Sequence, residues 1–88
     1  MDWKISFNKK AEKQLDKLSP ETRLQITNYL FRRVAAEPDP RLLGKALSGD
    51  LAGYWRYRVG DYRIICEIRN KELLVVVIQV GHRREIYK

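Results

Sequence analysis

The sequence predicts an α+β fold of order β-α-α-β-β-β, in which a helical hairpin covers one face of a mostly antiparallel, four-stranded sheet. Three observations support this prediction. Apolar residues recur at helical spacing between residues 11 and 34. Alternating residues flank Gly60-Asp61, a pair that suits a two-residue hairpin turn. The nearly continuous apolar run from Leu73 to Val80 is typical of a central strand covered on both faces.

The chain begins with a short strand and a helix. Trp3, Ile5 and Phe7 alternate with polar residues, which predicts the first strand. Asn8 is a good N-cap because its side-chain oxygen can accept a hydrogen bond from a free backbone N–H of the first turn. The helix that follows Asn8 is predicted to extend to about Leu18.

A second helix is predicted to begin at Ser19-Pro20-Glu21. Ser19 is the cap, Pro20 suits the first turn, and Glu21 lies near the positive end of the helix dipole. An apolar stripe continues to Val34, and Pro38 stops the helix. The two helices are therefore expected to form a hairpin whose apolar stripes belong to the core.

The remaining elements are a loop-rich segment and three strands. Residues 36–53 contain many turn-forming residues, and their leucines are expected to attach this segment to the core. The second strand of the hairpin is predicted from Tyr62 to about Arg69, followed by a tight turn at Asn70-Lys71. Gly81 ends the last strand.

The hairpin at residues 54–63 has two unlike faces. Its apolar face carries Trp55, Tyr57 and Val59. On the other face Arg56 and Arg58 point away from the core, and the two-residue turn places Arg58 opposite Arg63. Because directly opposed like charges destabilise a sheet, this cluster indicates a polyanion-binding site. The alternative is that the three arginines simply extend into water.

Length and charge narrow the function further. The 88 residues contain no linker or repeat, so residues 1–88 are predicted to form one domain. The net charge is +7 and the excess is spread along the chain, which favours nucleic acid or an acidic protein as partner. A single cysteine, Cys66, fits a reducing compartment and a core position. No signal peptide or membrane-spanning run is evident, so a cytoplasmic location without membrane contact is predicted.

Two motifs resemble a known family. The run from Leu47 to Ile65 (LSGDLAGYWRYRVGDYRII) and the ending from Val80 to Tyr87 (VGHRREIY) are similar to signatures of the RelE/ParE toxin superfamily. The order of elements and the length fit the same family. The resemblance implies one of two activities. RelE-like members cleave messenger RNA in the ribosomal A site, whereas ParE-like members inhibit DNA gyrase.

The resemblance to the RelE-like branch also implies a set of site residues. It implies catalytic roles for Arg63, for Arg83 after the last strand, and for Tyr87 near the C-terminus. Arg56 and Arg58 fall where well-known members carry lysine. Since a guanidinium binds phosphate but does not give up its proton, these two positions are expected to bind RNA and not to act as acids.

The chemistry of RNA cleavage fits these residue types. The 2′-hydroxyl is the nucleophile, so the site must remove its proton, stabilise charge on phosphorus and protonate the leaving 5′-oxygen. His82 is the only histidine, and no Cys/His/Asp cluster is present, so no metal or cofactor is predicted. Tyr87 is a candidate base, because nearby cations would lower its usual pKa of about 10. His82 is the alternative acid or base, or a surface residue, and Lys45 either contacts RNA or is solvated.

The resemblance implies three partners: an acidic, RelB-like antitoxin that forms a hetero-oligomer with the toxin, the ribosome, and messenger RNA. Two alternatives stay open at this level. The chain could inhibit gyrase in the manner of ParE. It could also be a non-catalytic relative that only binds RNA or an antitoxin.

Overall fold

The computed structural model describes residues 3–82. Seven regular elements follow one another along the chain: β1 (Lys4–Phe7), α1 (Lys9–Asp16), α2 (Pro20–Asn28), β2 (Lys45–Ala46), β3 (Trp55–Val59), β4 (Tyr62–Arg69) and β5 (Leu74–His82). A π-helical turn, Tyr29–Val34, continues α2. Short 3-10 turns lie at Pro40–Leu43, Gly49–Leu51 and Asn70–Glu72.

The sheet has five strands in the order β1-β5-β4-β3-β2. The strand β1 runs parallel to β5, and the other neighbours are antiparallel. The predicted α+β class and its helical hairpin are confirmed, but the predicted number of four strands is one too few. The additional strand is β2, which has only two residues and pairs with the edge of β3.

The caps predicted for both helices are present. The Asn8 side chain accepts a hydrogen bond of 2.8 Å from the N–H of Ala11, and the Ser19 hydroxyl accepts one of 3.2 Å from the N–H of Thr22. Each bond satisfies an N–H group that has no partner within its helix. The first helix ends at Asp16, earlier than the prediction of about Leu18.

The core lies between the helices and one face of the sheet. Its largest fully buried side chains include Ile26, Leu30, Tyr57, Ile64 and Val75. The Tyr57 hydroxyl donates a 2.7 Å hydrogen bond to the Pro40 carbonyl, which ties the segment before β2 to the middle of the sheet. None of the helices within residues 3–82 has the length and apolarity needed to cross a membrane.

Candidate functional site

The β3–β4 hairpin has the register that the sequence predicts. Val59 pairs with Tyr62, which leaves Gly60 and Asp61 as the two turn residues. Gly60 has a φ of 57°, a left-handed conformation that favours glycine and matches the twist of a tight hairpin. The next pair along the ladder is Arg58 with Arg63, so the predicted like-charged pair is confirmed.

A second like-charged pair lies beside the first. In the ladder between β2 and β3, Lys45 is directly opposite Arg56. Opposed side chains in an antiparallel pair lie on the same face, with Cβ atoms roughly 4.5–5.5 Å apart. We call these four residues, on the sheet face away from the helices, the cationic face: Lys45, Arg56, Arg58 and Arg63.

The four cations differ in exposure. Lys45 and Arg58 are exposed, Arg56 is half-buried, and Arg63 is only 7% exposed. Arg63 lies opposite Gly81 of β5, which has no side chain. A burial this deep holds the guanidinium in place and reduces its screening by water, which strengthens its attraction for an anion.

An apolar residue lies among these cations. Ile65 is fully buried, and it pairs with Arg56 on one side and with Gln79 on the other. The aliphatic part of an arginine side chain packs well on such a residue while its head stays polar. The cationic face therefore combines charged groups with the apolar side chain of Ile65.

Several carboxylates near the sheet are bound to other arginines. Arg69 forms ion pairs with Glu67 at 2.9 Å and with Glu72 at 3.7 Å, toward the opposite end of β4. Asp39 pairs with Arg41 at 3.1 Å in the loop before β2. These three acids therefore form ion pairs with arginines that do not belong to the cationic face.

Two potential nucleophiles or bases are buried on the other face of the sheet. Burial raises the pKa of the Tyr57 hydroxyl, which already donates to Pro40, far above its ordinary value. Burial also raises the pKa of the Cys66 thiol. Both groups stay protonated at neutral pH, as expected for core residues, and neither points to the cationic face.

The other predicted site residues divide into two groups. Arg83 and Tyr87 lie outside the described residues. His82 is described, and it pairs with Tyr62 at the end of the sheet, with the two rings edge-to-face and their centroids 5.6 Å apart. Because Tyr62 and His82 follow the row of Arg63 and Gly81 by one residue, they lie on the helix side. His82 is thus separated from the cationic face by the thickness of the sheet.

A second exposed surface is apolar. Leu24 is 60% exposed on α2, and Phe31 in the π-helical turn is 52% exposed. Leu24 borders a groove of about 400 Å³ between α1 and α2, which also contacts Phe7 and Leu15. Large apolar side chains exposed beside a groove are typical of a surface that contacts another protein.

Two features of the site were not predicted from the sequence. One is the pairing of Lys45 with Arg56, since a two-residue strand leaves no alternating pattern to detect. The other is the burial of Ile65 on the cationic face. The adjacent apolar residues Ile64, Ile65 and Cys66 are a signal for it, because consecutive apolar residues indicate a strand covered on both faces.

Comparison with known proteins gives consistent matches over the whole chain. Residues 5–87 match the family described as ParE toxin of type II toxin-antitoxin system, parDE. Toxin RelG of Mycobacterium tuberculosis is 32% identical over 88 residues, which are 100% of this chain and 99% of that protein.

Solved structures agree with the sequence matches. The toxin–antitoxin complex RelBE2 from Mycobacterium tuberculosis contains a chain with a TM-score of 0.86 and 29% identity, covering 94% of this chain and 93% of that one. The RelB–RelE complex from Methanococcus jannaschii gives 0.70 and 26%, covering 93% and 94%. A free mutant of Escherichia coli toxin RelE shares the fold, with a TM-score of 0.76 at 24% identity, covering 99% and 92%.

Proposed function

This chain belongs to the RelE/ParE superfamily of toxins from type II toxin–antitoxin systems, and we propose that it is a ribosome-dependent messenger-RNA endonuclease. The observation that carries the proposal is the cationic face. Two directly opposed pairs of like charges, Arg58 with Arg63 and Lys45 with Arg56, lie side by side on one hydrogen-bonded sheet. Such pairs destabilise an isolated protein, and a phosphodiester chain would relieve the repulsion.

The proposed reaction uses the nucleophile that RNA provides. Tyr87 takes the proton of the 2′-hydroxyl, the 2′-oxygen attacks phosphorus, and the bond to the 5′-oxygen breaks. The products are a 2′,3′-cyclic phosphate and a 5′-hydroxyl, whose oxygen takes a proton from solvent water as it leaves. Arg63 and Arg83 neutralise the charge that develops on phosphorus, because a fixed cation stabilises a charged transition state.

The remaining cations bind the RNA chain. Arg58 and Arg56 extend the charged surface along β3, and Lys45 continues it to the edge strand. Guanidinium groups suit this role because their planar forks match phosphate oxygens. They do not act as acids, so the proposed route needs neither a metal ion nor a proton from these arginines.

The proposed partner is an acidic, RelB-like antitoxin that forms a hetero-oligomer with this chain. The solved relatives from Mycobacterium tuberculosis and Methanococcus jannaschii are toxin–antitoxin complexes. On this chain, acidic residues of the antitoxin would cover the cationic face. An apolar segment would occupy the groove beside Leu24. The toxin would act in the cytoplasm, where it meets the ribosome and the message.

The second candidate is inhibition of DNA gyrase. The description of the matching family names ParE, and the RelE/ParE resemblance implies that activity for ParE-like members. A basic sheet face would also suit contact with an acidic surface on gyrase or with DNA. Under this alternative the cationic face binds but performs no chemistry, and Tyr87 has no catalytic role.

Expression in growing cells separates the candidates. Primer extension on a translated message should reveal cuts in register with its codons, and these cuts should be absent from an otherwise identical message that lacks a ribosome-binding site. The matched control is the same chain with Arg58→Ala and Arg63→Ala, which should leave the message intact. Chromosome breaks with an uncut message would replace the nuclease with the gyrase inhibitor. If neither the message nor the chromosome is damaged, the chain is a non-catalytic antitoxin binder.

A further inference from the structure

A cavity of about 340 Å³ lies between the C-terminal end of α1, the start of β4 and the end of β5. We propose that it binds one nucleobase of the RNA and selects keto bases, guanine and uracil, over the amino bases adenine and cytosine. The proposal rests on the function proposed above. The residues that carry it are Gln14, Lys17, Tyr62, Gly81 and His82.

The cavity lies one ladder step from the cationic face. Arg63 pairs with Gly81, and the following pair is Tyr62 with His82. Successive pairs point to opposite faces of the sheet, so the arginine row faces outward and the Tyr62 row faces the helices. Gly81 borders the cavity itself. A phosphate held at Arg63 is therefore close to the end of the sheet, around which a neighbouring base can enter.

The walls of the cavity include two aromatic rings. Tyr62 and His82 are both half-buried, and their ring planes meet at 80°. A base that stacks on one ring directs its edge toward the other, so the pair sets both the plane and the rotation of the base. Stacking on aromatic side chains is the usual way in which proteins hold unpaired bases, and it tolerates every base.

Selectivity comes from the polar residues of α1. The Gln14 side-chain oxygen accepts a 2.6 Å hydrogen bond from the N–H of Val80. Because a backbone N–H can only donate, this bond fixes the orientation of the amide and leaves its NH₂ group as the polar group that can meet a ligand. Lys17 is exposed at the end of α1 and has only donor hydrogens.

Hydrogen-bond donors at the rim of the cavity favour a base whose edge carries hydrogen-bond acceptors. Guanine presents O6 and N7, and uracil presents O4, whereas adenine and cytosine present amino groups at the corresponding positions. An amino group facing the Lys17 ammonium and the Gln14 NH₂ would bring donors against donors. The discrimination expected from such contacts is about five- to one-hundredfold.

The test is a titration of the purified protein with GMP, UMP, AMP and CMP, followed by NMR signals of the Tyr62 and His82 rings. All four nucleotides carry the same phosphate, so the differences among them report the base alone. We expect GMP and UMP to bind at least about fivefold more tightly than AMP and CMP. Equal affinities for the four, or ring signals that do not move, would overturn the proposal.

A substitution makes the test specific to the cavity. Lys17→Glu replaces a donor with acceptors and should abolish or reverse the keto preference. Lys13→Glu makes the same charge change on the exposed surface of α1, outside the cavity, and should leave the preference intact. If both variants alter the base preference equally, the effect is general electrostatics and the cavity has no part in it.

The outcome is separable from that of the proposed function. Cleavage on ribosomes together with equal binding of the four nucleotides would keep the nuclease and remove the base site. A keto preference that depends on Lys17, in a protein that cuts no message, would keep the base site and remove the nuclease.

Discussion

The two faces of the strands β3, β4 and β5 follow opposite rules. On the helix side, the cross-strand pairs are apolar, as in Tyr57 with Ile64 and Ile64 with Val80, and all of these side chains are buried. On the outer side, the pairs of Arg58 with Arg63 and Lys45 with Arg56 place like charges opposite each other. Both sets of side chains project from one sheet of hydrogen-bonded strands, so the difference between the faces arises from the side chains alone.

This contrast separates stability from function within one sheet. Burial of apolar area favours folding by roughly 25 cal/mol per Å², and the helix side provides most of that area. Opposed cations oppose folding and are tolerated because the helix side supplies enough free energy. Substitutions on the two faces should therefore have opposite profiles in assays of stability and of RNA cleavage.

The largest effect is expected at Tyr87. Tyr87→Phe keeps the ring and removes only the hydroxyl. If the hydroxyl is the general base, cleavage on ribosomes should fall by about 10²–10⁴. The stability of the fold should stay the same, which a denaturant titration can check. Cleavage that persists in Tyr87→Phe would assign the tyrosine a packing role and remove it from the proposed mechanism.

A comparable effect, in stability alone, is expected at Tyr57. Tyr57→Ala removes a fully buried ring and should lower the free energy of unfolding by about 3–5 kcal/mol. Tyr57→Phe removes only the hydroxyl that donates to Pro40 and should lower it by about 1 kcal/mol. Cleavage per folded molecule should be normal in Tyr57→Phe. A strong loss of cleavage without a loss of stability would break the division between the faces.

A moderate effect is expected in the kinetics of antitoxin binding. The cationic face should control the association rate, which we expect to fall by about tenfold or more between low and high salt. Leu24 borders the groove between α1 and α2, so Leu24→Ser should mainly raise the dissociation rate. Stopped-flow mixing measures both rates. An association rate that does not change with salt would remove the electrostatic part of the proposed interface.

The sequence was sufficient for the features that local rules determine. The register of the hairpin was predictable because Gly60-Asp61 fixes the loop length, and the loop length fixes every later pair. Both helix starts were predictable because Asn8 and Ser19 have the side chains that cap a helix. The opposition of Arg58 and Arg63 followed from the same register.

Other features depend on long-range packing and left no local pattern. The strand β2 is too short for alternation, so the fifth strand and the contact of Lys45 with Arg56 were missed. The register shift between Ile65 and Cys66 adds one residue to β5, and an apolar run looks the same with or without it. The depth at which Arg63 is buried likewise depends on what packs over it.

The central claim is that the cationic face serves RNA binding at the expense of stability, and Arg58 tests it most directly. Arg58 is exposed and lies opposite Arg63, so Arg58→Ala removes the repulsion with little loss of packing. Arg69→Ala is the matched control, an arginine on the same face that is paired with Glu67 and Glu72. It should not raise stability and should leave cleavage unchanged.

The decisive measurement is the unfolding free energy of Arg58→Ala together with its rate of message cleavage on ribosomes. We predict that the free energy of unfolding is unchanged or raised by about 0.2–1 kcal/mol, the size of one cross-strand pair, while cleavage falls at least about tenfold. A clear loss of stability with cleavage intact would contradict the account, because Arg58 would then be a structural residue.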